Sequence, residues 1–336
     1  MSIKIPGVAT SHLRRGSALL ALALPLATGL SGLLVVPGTA QGTGQVRHYY
    51  IQAENVDWTL VPTGYYDDKL GREVPAGDTR YPAIVLRGYE DPDFKRPLPR
   101  APWMGILGPI IEARVGDKVV VHFRNGDFGY GRPHSLHVHG LSYRYRMAHD
   151  GGWMPHLAPA QPGTAVPPGG EHTYEWEAGP DSAGTWFYHD HSVDAADNVR
   201  RGMLGGVIVR GADERPADRE YVLLFSNVPR TVTRLRRDFF TINGVAFMGG
   251  LPGLGARVGE RVRFRVIGMG DELHTFHLHA HRWTLNGQIV DNVPVAPAST
   301  ATFEFVEDAP GLWMLHCHVL DHAESGMMQH YAVTKR

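Results

Sequence analysis

Cys317 is the only cysteine in the 336-residue chain, and it stands between His316 and His318, with His322 five residues further on and Met327 ten. In an extended segment alternate side chains face opposite ways. Cys317 then points to one side, and His316 and His318 to the other. A thiolate combined with imidazoles and a thioether is the donor set of a blue-copper electron-transfer site. The flanking imidazoles remain free to hold a second metal centre, joined to the thiolate through one residue's bonds. A zinc site would call for more cysteines, and methionine is not a zinc ligand. The plain alternative is a buried thiol among hydrogen-bonded core histidines.

The rest of the chain argues against that alternative. Scattering 19 histidines at random over this length gives about one pair spaced H-x-H, and the sequence has five, at 137/139, 189/191, 277/279, 279/281 and 316/318. Four of these pairs, eight imidazoles, exceed what a single electron carrier can use.

These residues must be held by elements built from a β-rich sequence. Gly and Pro are dense (40 and 24 residues) and no long stretch has helical periodicity. Segments such as Tyr49–Leu60 and Tyr81–Arg87 are rich in aromatic and β-branched residues and read as short strands, the pattern of β-sandwiches. The motifs also repeat. Arg114-Val115-Gly116-Asp117-Lys118-Val119 returns as Arg257-Val258-Gly259-Glu260-Arg261-Val262, His134-x-x-His137-x-His139 as His274-x-x-His277-x-His279, and Gly184-x-Trp186-x-x-His189-Asp190-His191 as Gly311-x-Trp313-x-x-His316-Cys317-His318. Two copies of one domain follow, residues 41–211 and 212–336, joined near the polar stretch 211–219. Asp190 stands where the second copy has Cys317, and Ala195 where it has His322. The first copy therefore has no thiolate site, and its His134 reads as a structural histidine with Asp190 hydrogen-bonded beside it.

Residues 1–40 read as an export leader. Arg14-Arg15 precede an apolar run from Ala18 to Val36, and small residues at 38–40 offer a cleavage site before Gln41. The arginine pair suggests the twin-arginine route, and once the leader is removed no stable membrane association is expected. A formal net charge of −1 speaks against a nucleic-acid partner.

H-V-H-G at 137–140, W-F-Y-H-D-H at 186–191, H-T-F-H-L-H at 274–279 and H-C-H-V-L-D-H-A-E-S-G-M at 316–327 resemble the four copper motifs of multicopper oxidases, and the short chain resembles the two-domain (small) laccases in particular. The resemblance implies an all-β fold of two cupredoxin-like Greek-key β-sandwich domains in tandem. It implies four coppers per chain. His274, Cys317, His322 and Met327 would form the type 1 site; strand parity agrees, since His274 falls on the Cys317 side, opposite His277 and His279. His137 and His277 would hold the type 2 copper, and His139, His189, His191, His279, His316 and His318 the type 3 pair. Asp291 matches the family's proton-supplying acid, and Tyr143 the small-laccase tyrosine near the type 2 copper. His281 is close to His279, but the type 3 ligand set is complete without it; Asp150 is a further residue for the cluster mouth.

The implied partners are O2 and a small reducing substrate, a phenol or aromatic amine. The resemblance also implies a homotrimer, because each domain carries only half of the trinuclear ligands, so that the clusters lie between subunits. A metallo-oxidase acting on Cu(I) or Fe(II) is the alternative. A two-domain copper nitrite reductase fits less well, since it carries its blue site in the first domain and needs one catalytic copper.

Overall fold

In the computed structural model of the chain, residues 44–335 are described except 68–70, 144–146, 155 and 157–160. The expected leader, residues 1–40, lies outside the described residues. Residues 41–336 form one compact unit, and no helix among the described residues is long and apolar enough to cross a membrane.

The unit is built of sheets, and the expected strands extend slightly further than read, as Val46–Thr59 and Arg80–Tyr89. One four-stranded sheet runs Arg80–Tyr89, Val46–Thr59, Lys118–Gly126, Glu171–Glu177, and packs against another of order Gly108–Arg114, Leu204–Arg210, Gly184–His189, His137–Val138. The second half repeats both orders. One sheet runs Phe239–Ile242, Arg219–Val228, Arg261–Met269, Ser299–Val306; the other runs Gly255–Arg257, Met328–Thr334, Gly311–Cys317, His274–Leu278, with Asn292–Val295 added at the edge. Even the parallel pairings recur, Val46–Thr59 with Lys118–Gly126 and Arg219–Val228 with Arg261–Met269. The fold is thus the tandem pair of cupredoxin-like β-sandwiches that the sequence leads one to expect.

Burial follows the period of two. Val119, Val121 and Phe123 turn into the first core together with Ile51 and Ala53. Strand Arg219–Val228 is apolar without alternation because both of its faces are covered. Tyr221, Leu223 and Phe225 enter the second core, while Val222 and Leu224 meet Phe187, Leu204 and Ile208 in the seam between the halves. Burying such a side chain contributes about 1.5–3 kcal/mol, so the seam is a packed interior.

A charged cluster closes the seam at the connecting segment. Arg265 is 1% exposed; its Nε donates to Glu220 at 2.6 Å and its Nη1 to Thr185 Oγ1 of the first half at 2.8 Å, while Glu214 also receives Arg210 and Arg263. The helices are single short turns, and two of them matter below: Ala195–Arg200 and Leu320–Glu324.

Candidate metal centre

Strands His274–Leu278 and Gly311–Cys317 run antiparallel with Phe276 opposite Cys317 and His277 opposite His316. That register turns His274 and Cys317 into the second core and leaves His277 and His316 on the other face. The turn after Cys317 becomes the helix Leu320–Glu324, which brings His322 back over the thiol.

His274, Cys317 and His322 are all buried, and their donor atoms lie within 4.8 Å of one another. His274 Nδ1 is 3.2 Å from His322 Nδ1, and Cys317 Sγ is 3.7 Å from the latter. Met327 is fully buried; its carbonyl accepts Cys317 N–H at 3.0 Å and its N–H donates to His322 O at 3.0 Å, so thiol and thioether are tied to one local frame. Glu272 fixes the tautomer of His322 by accepting its Nε2–H at 3.0 Å, which leaves Nδ1 as a lone pair aimed at the other donors. Phe240 stacks on the same ring at 4.0 Å and 13°.

Burial pushes the Cys317 thiol up and, with His322 beside it, pushes His274 down to about 4. The metal-free site is therefore a neutral imidazole beside a protonated thiol, and a soft cation would take the place of the thiol proton. The donor set fits copper: one thiolate, two imidazoles from converging Nδ1 atoms and the thioether of buried Met327, whose backbone is bonded to Cys317 and His322.

The opposite faces carry two matching quartets. In the second half, His277, His279 and His316 have donor atoms within 4.8 Å of each other, and His318 lies 5.0 Å, ring to ring, from His277. His277 Nδ1 donates to the carbonyl of Asp291 at 2.8 Å and His316 Nδ1 to that of Cys317 at 2.8 Å. In the first half, where His137 pairs with His189, His137 Nδ1 donates to the carbonyl of Asp150 at 2.8 Å and His189 Nδ1 to that of Asp190 at 2.7 Å. A carbonyl only accepts, so all four rings carry the proton on Nδ1 and offer Nε2 as a lone pair. In each quartet two Nε2 atoms face each other, His139 to His189 at 3.2 Å and His279 to His316 at 3.1 Å. Such convergence is what a bound cation requires. Burial, then the neighbouring imidazoles, pushes His139 down to about 4; burial likewise dominates at His189, also about 4, and lowers His279 and His316. These rings are neutral near pH 7, the form that ligates metals.

Gly140 after His139 has φ 77°, and a Cβ there would lie 2.1 Å from the Trp186 ring, so the H-V-H-G turn needs glycine for both conformation and space. Among the described residues no group of three metal-binding side chains draws on both quartets.

The predicted acids and tyrosine sit close by. The Asp291 side chain is exposed and accepts from Asn292 Nδ2 at 2.8 Å; its link to His277 is through its carbonyl. Asp150 occupies the corresponding place at His137, with its carboxylate 3.0 Å from the same Nδ1. Tyr143 lies edge-on to His137 at 6.2 Å, and burial, then Asp150, raises its phenol. His281 is engaged by Glu307 at 2.9 Å instead of joining the quartet.

In the first half the position matching the thiolate is filled by a polar cluster. His134 is completely buried, 2.9 Å from Asp127 and 3.4 Å from Asp190, which also accepts from Ser135 N, Ser192 Oγ and Asn198 Nδ2. Burial pushes Asp190 up, but His134, Asn198 and Ser135 outweigh it and hold the carboxyl low. Sequence reasoning missed Glu272 and Phe240, the two groups that orient His322. An acid two residues before His274 was the available sign of the first; nothing local marked the second.

Residues 104–214 and residues 225–336 each match a family profile described as multicopper oxidase. The chain is 32% identical to the ferroxidase HEPHL1 of Homo sapiens over 91% of its own length and 30% of that protein's, so it spans about a third of this curated relative. A solved structure described as a multicopper oxidase aligns with a TM-score of 0.65 at 25% identity, over 86% of this chain and 89% of that one. A copper nitrite reductase from Nitrosomonas europaea shares the fold, with a TM-score of 0.62 at 22% identity over 86% and 93% of the two chains. With the converging imidazoles and the single buried thiol, these likenesses settle the kinship: the chain belongs to the multicopper oxidase family.

Proposed function

We propose that the chain is a laccase-type oxidase, removing single electrons from phenols or aromatic amines and passing them to O2, which is reduced to water. The observation that carries this reading is the pair of matching imidazole quartets behind one His–Cys–His site. His274, Cys317, His322 and Met327 would hold a type 1 copper. His137 and His277 would hold the type 2 copper, and His139, His189, His191, His279, His316 and His318 the type 3 pair. When bound, copper would supply one-electron acceptance at the first site, and the three coppers of the cluster together with that one would supply the four electrons that O2 needs.

The chain's own residues do the rest. Cys317 is the direct chain neighbour of His316 and His318, so the path from the thiolate to the cluster's imidazoles is covalent. Asp150 and Asp291 hold the ring protons of His137 and His277 and place carboxylates where protons must arrive. Tyr143, edge-on to His137, is an auxiliary electron donor. Because no metal-binding group among the described residues joins the two quartets, we assign the cluster to the junction between the first half of one subunit and the second half of the next. Such a head-to-tail contact must close into a ring or run on as a filament, and a closed trimer is our reading. We also place the protein outside the cytoplasm, on the strength of its leader sequence.

A second reading, oxidation of Fe(II), draws on the half-exposed Glu272 carboxylate at His322 Nε2 and on the ferroxidase among the relatives. Comparing turnover of phenols, aromatic amines, Fe(II) and Cu(I) on one copper-loaded preparation tests the assignment. Phenols and aromatic amines should be the efficient donors; turnover confined to the metal ions would replace the laccase reading with the second.

A further inference from the structure

His281 is 5% exposed, Glu307 1% and Tyr331 not at all, and the three form one hydrogen-bonded chain. Tyr331 Oη donates to Glu307 Oε2 at 2.9 Å, His281 Nε2 donates to Glu307 Oε1 at 2.9 Å, and His281 Nδ1 donates to the carbonyl of His279 at 2.6 Å. Glu307 Oε1 also accepts the N–H of Ala309 at 3.1 Å. Burying such groups is costly, and apolar side chains of similar volume often serve a core as well or better. The first half of this chain is built that way. Leu141 follows His139 as His281 follows His279. Ala178 donates its N–H to the Asp117 carbonyl as Glu307 does to that of Glu260, and Val207 lies opposite Trp186 as Tyr331 lies opposite Trp313. Leu141, Ala178 and Val207 are all buried in the first core.

One backbone difference accompanies the exchange. In the second half the N–H of His281 closes a turn on the carbonyl of Leu278 at 3.2 Å. The third residue of that turn, Ala280, has φ 64°, and the matching residue of the first half is Gly140, with φ 77°. A positive φ at this place ordinarily calls for glycine, and the exposed methyl of Ala280 recovers nothing by packing. Turns with negative and with positive φ at the third residue differ by a flip of the peptide between the second and third residues. Here that peptide joins His279 to Ala280, and its carbonyl is the one that His281 holds.

We propose that Tyr331, Glu307 and His281 act as a clamp that locks the His279–Ala280 peptide in the left-handed turn and thereby positions the His279 ring in its quartet. The flip changes ψ of His279, and the rotamers open to a side chain depend on its own φ and ψ. The first half reaches the same turn with glycine and needs no clamp. The role rests on the reading of His279 as a ligand of the cluster, and adds to it the residues that hold this ligand in place.

The clamp can be replaced in the full chain by apolar side chains, His281→Leu with Glu307→Ala and Tyr331→Phe, with and without Ala280→Gly. Metal-free crystals read the turn directly: in the triple variant the peptide should flip and give Ala280 a negative φ. Copper-loaded samples read the consequence. Affinity for copper beyond that of the blue site, measured against a chelator, should fall roughly tenfold to a hundredfold, while the blue band is unchanged. Adding Ala280→Gly should recover most of that affinity, which a change in packing alone would not do. Should the triple variant not fold, Glu307→Gln takes its place with the same readings, since it keeps the volume and replaces the charged acceptor of His281 by a neutral one. A turn that stays left-handed without the clamp, or a copper loss that Ala280→Gly leaves untouched, overturns the proposal. Failure of the ligand reading looks different: the parent itself would bind no copper beyond the blue site, and the positioning role would fall with it even where the turn still flips.

Discussion

The carboxylate of Glu272 lies 3.0 Å from Nε2 of His322, and this contact sets which nitrogen of the ring turns toward Cys317. Removing the acceptor should free the ring. Glu272→Ala is expected to shift or broaden the blue absorption band and to slow reduction of the blue site by phenols by roughly tenfold to a hundredfold in line with losses seen when groups behind metal ligands are removed. Glu272→Gln, which keeps an acceptor oxygen, should retain the band. Absorption spectra and anaerobic stopped-flow reduction of both variants check the pair; identical behaviour of Ala and Gln would remove Glu272 from the site.

Asp150 and Asp291 make the same carbonyl contact to His137 and His277, both at 2.8 Å. Replacing either carboxylate by its amide leaves that carbonyl contact in place and removes the proton carrier; at Asp150 it also puts an amide oxygen in place of the carboxylate 3.0 Å from His137 Nδ1. Asp150→Asn and Asp291→Asn should each slow reoxidation by O2 more than reduction of the blue site. Stopped-flow reoxidation at the parent rate would contradict the proton role.

Much of this pair of relations was legible in the sequence, and the exceptions are instructive. The H-x-H spacing and the strand period of two place Cys317 and His274 on one face and His277 and His316 on the other, and the repeat leads one to expect the same sandwich twice. Asp291 was found through its resemblance to family members. Its counterpart Asp150 could not be matched by counting, because it follows its histidine by 13 residues and Asp291 by 14 within loops of unrelated sequence. Phe240 reaches His322 from a strand more than eighty residues away, and contacts of that range leave no periodic trace. The seam cluster escaped notice for a similar reason: a fully apolar strand such as Tyr221–Phe225 does not reveal that its two faces enter different cores.

The pH dependence of the metal-free protein has a definite sign. His139, His189 and His274 titrate at about 4 in the folded chain, against about 6.5 unfolded. Between those values the unfolded chain binds more protons, so stability is full above about pH 6.5 and falls as pH drops toward 4. Urea midpoints of the metal-free protein across that range should decline steadily. A flat profile from 6.5 to 5 would mean that these rings are not held neutral.

Arg265 links both halves through Glu220 and Thr185 while buried. Arg265→Ala removes one cation from Glu214 and Glu220, which keep Arg210 and Arg263, together with the bond to Thr185; it should cost about 1.5–3 kcal/mol, seen as a lower denaturation midpoint. A change within a few tenths would show that the seam holds without the cluster.

The subunit junction can be tested with two inactive variants, one lacking His137 and His139 and the other lacking His316 and His318. Co-expressed, they should form mixed rings in which an intact first half meets an intact second half, and part of the activity should return. Mixed rings that stay inactive would place each cluster within a single chain.

Ten histidines, Cys317 and Met327 are expected to hold a complete set of four coppers that reduces O2 to water. Copper content measured together with the stoichiometry of O2 uptake tests it most directly. Four coppers per chain, an intense blue band that Cys317→Ser abolishes, and four one-electron donors consumed per O2 with no peroxide released are expected. One copper per chain, a predominance of zinc, or peroxide as the product would contradict it.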